Sequence, residues 1–168
     1  MPTRSVIRLA LAGLAISATA GLADEFQPYG SVEGWNVFVD VTKKSCLIET
    51  VDAAGNVVQM GLTNDRGVAY IGVFTKADTG IKQGDKEAVA ILLGDKVFIG
   101  EATGMRGNIT GGYSGGYVLT DDPSVVDAVA REHEMIVFPE KAYTFAVNLK
   151  GTYKAIEMAR ECNDKQLE

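Results

Sequence analysis

The sequence predicts a mainly β domain: an antiparallel β-sandwich or barrel with two helices, the second C-terminal and tethered by a disulfide. Three observations predict it. Short apolar segments recur at close spacing, glycine-, asparagine- and aspartate-containing turns punctuate them, and only two stretches, both late in the chain, carry a helical period.

Taken in order, "GWNVFVDV" places Trp35, Val37, Val39 and Val41 on one face of a strand, after a polar lead-in. "CLIETV" and "VVQMGL" flank "DAAGN", where Gly55 and Asn56 tolerate a left-handed turn, so the pair reads as a hairpin. "RGVAYIGVF" follows, with Val68, Tyr70 and Phe74 on one side and Ala69, Ile71 and Val73 on the other. The clearest hairpin is "EAVAILLGDKVFIGEA", with Gly94 first in a two-residue turn. "GYVLT" is a short strand leaving a glycine-rich bend.

Asp122 before Pro123 is a favoured cap and first-turn pair, and Val125, Val126 and Val129 then form a stripe that reaches His133. "FAVNL" returns to strand. Gly151-Thr152 opens the last helix, in which Ala155, Ile156, Ala159 and Cys162 share one face and Lys154, Glu157, Arg160, Glu161 and Asp164 the other. Residues 24–163 thus read as one domain, with a frayed tail over 164–168.

The first residues read as a secretory signal peptide, 1–23. Arg4 and Arg8 precede the apolar run Leu9–Ala20, and small residues suit cleavage after Ala20 or Ala23. The run is short for a bilayer span, and nothing later is apolar enough to make one, so the expected product is exported, to periplasm or medium. Cleavage would lower lysines plus arginines from 16 to 14 against 22 acids, a formal charge near −8. Such a surface repels phosphate backbones, which argues against nucleic acid as a partner.

The two cysteines, Cys46 and Cys162, form no C-x-x-C pair, and with the lone His133 they cannot complete a zinc site. In an oxidising compartment they read as one disulfide, with two separate free thiols as the alternative. "TNDRG" and "LTDDP" lack the spacing of a calcium loop, so neither a metal nor a cofactor is expected. Asn108-Ile109-Thr110 fits the glycosylation sequon, and the charges in "FTKADTGIKQGDKEA" alternate in sign as in a solvated loop.

"GGYSGGY" contains G-x-S-x-G, the turn that presents a serine nucleophile in many hydrolases. That turn needs a strand before Ser114 and a helix after it; here a loop-like stretch precedes it and a strand follows. Asp121, Asp122, Asp127 and His133 supply the order serine, acid, histidine, which any acidic chain with one histidine would do. Ser114 is therefore read as part of a bend, with a serine hydrolase as the alternative. Tyr113 and Tyr117, with Ser114 between them, form a candidate binding loop, since tyrosine offers a large contact area with a polar tip. Packing of those rings against the sheet is the other reading.

"GWNVF", "KSC" and the closing "FAVNLKGTYKAIEMAREC" together resemble the invasion-associated locus B family of exported alphaproteobacterial proteins, and "LLGDKVFIGEA" resembles its strand-turn-strand segment. Trp35, Phe145, Leu149, Gly151, Ala155 and Cys162 occupy the family's positions. Many members carry a further cysteine in or near the first strand, where this chain has Asn36, Val37 and Phe38. The resemblance therefore implies one disulfide, Cys46 to Cys162, and no second. It implies an envelope or extracellular role, in some bacteria linked to host cells, and supplies no catalytic residue. The expected function is non-catalytic binding of a protein partner in the envelope or on a host cell. A carrier of a small hydrophobic ligand, held inside the barrel, is the alternative.

Overall fold

The computed structural model describes residues 26–63, 67–80, 82, 84–106 and 113–167. The expected signal peptide, the sequon at Asn108 and the first glycines of "GGYSGGY" lie outside the described residues.

Among the described residues ten strands form one antiparallel ladder. Five follow each other as a meander: β1 (Phe26–Val32), β2 (Trp35–Asp40), β3 (Ser45–Val51), β4 (Val57–Leu62) and β5 (Ala69–Thr75). Then come β6 (Lys86–Leu93), β7 (Lys96–Arg106) and β8 (Ser114–Thr120), helix α1 (Pro123–Arg131), β9 (Glu134–Val137), β10 (Phe145–Asn148) and helix α2 (Thr152–Lys165). The spatial order is β1-β2-β3-β4-β5-β8-β7-β6-β9-β10, so the second half of the chain joins the first through β8 against β5.

Register explains the core. Val37, Ile48, Met60, Ile71 and Val118 stand opposite one another across five strands, and all are buried. Leu93, Met135 and Val147 make a second buried row across β6, β9 and β10. Both rows belong to a single apolar cluster. The sheet therefore folds over on itself, and its two halves face each other as in a sandwich.

The β3–β4 hairpin turns through Gly55 at φ 83°, braced by Asp52, whose carboxylate accepts the Ala54 and Asn56 N–H groups. The β6–β7 hairpin turns at Gly94 (φ 59°), with Leu93 opposite Lys96, as its two-residue loop requires. Three features depart from the sequence reading. The polar lead-in is strand β1, an edge strand that tolerates Pro28 beside a bulge. The segment after α1 forms the four-residue β9, too short to show a period. The glycine-rich bend is in its second half regular strand: β8 begins at Ser114, and Gly115 and Gly116 pair with both β5 and β7.

Helix α1 is capped by the Asp122 carboxylate, which accepts the Ser124 N–H at 2.9 Å, and buries Val125, Ala128 and Val129. Helix α2 has no side-chain cap. It starts from Gly151 in the left-handed region (φ 85°), where a Cβ would also stand 2.5 Å from that of Glu33. It packs along β1, β2 and β3, buries Ala155, Ala159 and Cys162, and includes the first two residues of the expected frayed tail, Asp164 and Lys165. Lys165 there donates to the Tyr29 hydroxyl at 2.7 Å.

The two ends of the domain meet at Trp35. Its ring is 1% exposed, and its indole N–H donates to the Lys150 carbonyl at 3.1 Å, while Lys154 pairs with Glu33 nearby. The tryptophan thus anchors the turn between β10 and α2. Trp35→Phe, which keeps an aromatic ring but strands that carbonyl, is expected to cost about 2 kcal/mol. A shift in the urea midpoint at unchanged slope would measure it.

Candidate functional site

Ser114 sits at the far end of β8 from α1, 7% exposed, with its hydroxyl 2.9 Å from that of Thr79. A strand, not a helix, leaves it. His133 lies just past the end of α1, exposed, with its carbonyl accepting the Leu149 N–H. Asp122 is engaged as the helix cap. Gly115 is needed for packing: a Cβ there would lie 1.9 Å from the Val73 carbonyl oxygen.

Both tyrosines of the candidate loop are half-buried and lie over the outer face of the sheet. Tyr113 donates to the Gly55 carbonyl at 2.7 Å, with Lys76 Nζ 5.0 Å from its ring centre. Tyr117 is a mid-strand residue. Its hydroxyl donates to the Gln59 side chain at 3.1 Å, its ring covers Gly72, and it meets Tyr70 and Phe74 edge-on at 5.4 and 5.2 Å. Gly61 and Gly72 leave room for the Tyr70 and Tyr117 rings on the sheet surface.

The Tyr70 hydroxyl on this face is shifted in its titration. Burial raises its hydroxyl pKa, with smaller contributions from Tyr117 and Asp40. A raised folded-state value means that the neutral phenol stabilises the fold fully below the unfolded pKa of about 10, and that this stability is lost as pH climbs above it. Wild-type protein is thus expected to lose stability above about pH 10, and Tyr70→Phe to flatten that limb. Melting curves from pH 8 to 11 would show it.

On the opposite face an apolar groove of about 400 Å³ lies between the two helices and strands β3, β4 and β5. Ile48, Met60 and Ile71 form its floor, Val126 and Val129 one wall, and Ile156 and Ala159 the other. Asp127 and Arg160 stand among its polar lining residues. Cys46 lines it too, and the Cys46–Cys162 disulfide, with Cα atoms 6.0 Å apart, joins the floor to the α2 wall. Asn163 doubles the clamp by accepting the Cys46 N–H through its side-chain oxygen at 2.9 Å, in a buried setting.

A ligand space inside the barrel is one expectation from the sequence; the groove has the inward-facing Ile48, Met60 and Ile71 as its floor and the two helices as its walls. Its lining comes from five separate segments, so spacing could not reveal it. The usable signal was an apolar stripe wider than one buried contact on each helix. Among the described residues no cluster of three or more histidines, cysteines and acids could hold a metal ion, and no helix is long and apolar enough to cross a membrane.

These features define a class: a mainly β fold, an antiparallel sandwich whose C-terminal helix is stapled to a strand by a buried disulfide. The fold is similar to that in the crystal structure of invasion associated protein B from Bartonella henselae. The two chains are 16% identical, with a TM-score of 0.51 over 85% of this chain and 99% of that one. At that identity the likeness is one of fold. No protein-family model matches the sequence, and no curated protein matches it.

Proposed function

We propose that this is an exported, non-catalytic binding protein of the envelope or extracellular space, with a macromolecular partner in the envelope or on a host cell. The observation that carries the reading is the buried Cys46–Cys162 disulfide, which uses both cysteines of the chain and suits an oxidising compartment. The basic and apolar first residues and the fold likeness to an invasion associated protein agree with it. An in-cell photo-crosslinker in place of Leu119, 57% exposed on the outer face, tests the binding. Capture of one envelope or host surface protein is expected; only uncoupled monomer there and at Tyr113 would count against it.

The apolar groove favours a second reading, a carrier of a small hydrophobic ligand. Native mass spectrometry of freshly purified protein would then show an added mass. The hydrolase alternative requires Ser114 to react with a fluorophosphonate, and no labelling is expected.

A further inference from the structure

We infer that the outer face of the sheet at β7, β6, β9 and β10 is a self-association surface, and that its occupant is a second copy of this chain. This goes beyond the binding and carrier readings and rests on neither. β6 and β7 contain the near-continuous apolar runs "AVAILL" and "VFI". Such runs belong to strands covered on both faces, whereas a strand wet on one face alternates apolar with polar. Val89, Ile91 and Leu93 fill the core face. The other face is uncovered: Val97 is 58% and Ile99 78% exposed. Val97, Leu92, Ile136 and Ala146 stand opposite one another in a row across the four strands, none of them buried. Ala90 and Ile99 pair in the next row of the same face. A contiguous exposed apolar face of this kind marks an interaction site.

A second copy fits by charge and by size. Lys86 lies four positions before Ala90 on β6. Glu134, next to Met135 opposite Leu93, lies at the level four positions beyond Ala90. Both are exposed, and strand alternation puts both on this face. A two-fold axis running across the strands at the Ala90–Ile99 pair therefore sets Ile99 against the partner's Ile99. The same axis brings Lys86 toward the partner's Glu134, twice per dimer. Eight paired residues of β6 and β7 and four each of β9 and β10 define the face. At ~4.8 Å between strands and ~3.4 Å per residue its footprint is roughly 400 Å². About 800 Å² for the two copies is the size of a weak, reversible interface.

Sedimentation equilibrium of the protein purified from expression of the full sequence, at about 5 to 500 μM, reads the association directly. A monomer–dimer equilibrium with a dissociation constant on the order of 10 μM is expected. Ile99→Lys, at an exposed position, should weaken the dimer about tenfold or more while the melting temperature is held. Val97→Lys on the same face should act in the same direction. Lys86→Glu and Glu134→Lys should each weaken it about threefold, and the two together should restore it. Monomer at every concentration would overturn the proposal. A dimer indifferent to both Ile99→Lys and Val97→Lys would overturn the face. A charge-swapped double variant no tighter than the single ones would overturn the two-fold arrangement. A different protein held on this face through purification, and released by Ile99→Lys, would overturn the second copy as its occupant.

Discussion

Removing both cysteines as Cys46→Ala with Cys162→Ala is expected to lower the melting temperature by roughly 15 °C. The bond spans 116 residues, and a loop of that length restricts the unfolded chain by about 5 kcal/mol in the chain-entropy model. For a domain of this size each kcal/mol moves the midpoint by a few degrees, roughly 2–8. The native state also depends on the bond. α2 touches the sheet along β1 to β3, and the staple fixes the half of the helix remote from its glycine start. Hydrogen exchange should therefore speed up first in the α2 amides around Cys162 and Asn163. Thermal denaturation of the double variant, followed by circular dichroism, checks the main effect. A midpoint within about 3 °C of wild type would mean that packing alone holds the helix.

Gly115→Ala is the second large effect, expected to cost about 4 kcal/mol or to prevent folding. The added methyl would stand 1.9 Å from the Val73 oxygen and 2.8 Å from both the Val73 carbonyl carbon and the Phe74 Cα, all backbone of β5. β5 is held on its other side by β4, and β8 by β7, so neither strand is free to retreat. Gly72→Ala makes the useful comparison. Its methyl would meet the Tyr117 ring at 2.5 Å, but a side chain can turn aside, at the cost of the Tyr117–Gln59 hydrogen bond. The expected order of stability is wild type, Gly72→Ala, then Gly115→Ala. Equal stability of the two variants in urea would contradict the close approach of β5 and β8.

The same glycine shows how far the sequence could be read. "GGYSGGY" was legible as not an elbow, because a strand-like run follows Ser114. It was not legible as strand, since glycine carries no side-chain period. Hairpins announced by turn chemistry, such as that at Gly94, were legible; β9, with four residues and no turn signal of its own, was not. β1 was hidden because an edge strand, wet on one side and interrupted by Pro28, lacks clean alternation. Cys162 on the apolar face of the last helix pointed inward from its period alone, and the structure joins it to Cys46. The groove stayed out of reach because its walls meet only in three dimensions.

Export of a protein folded around its disulfide can be read from one intact mass. The full 168-residue sequence would be produced in a bacterium with an ordinary export pathway, and the protein recovered without reductant from the periplasm or medium. The expected product is a chain cleaved after Ala20 or Ala23 and two hydrogens lighter than its reduced form. Full-length, reduced protein confined to the cytoplasm would contradict it.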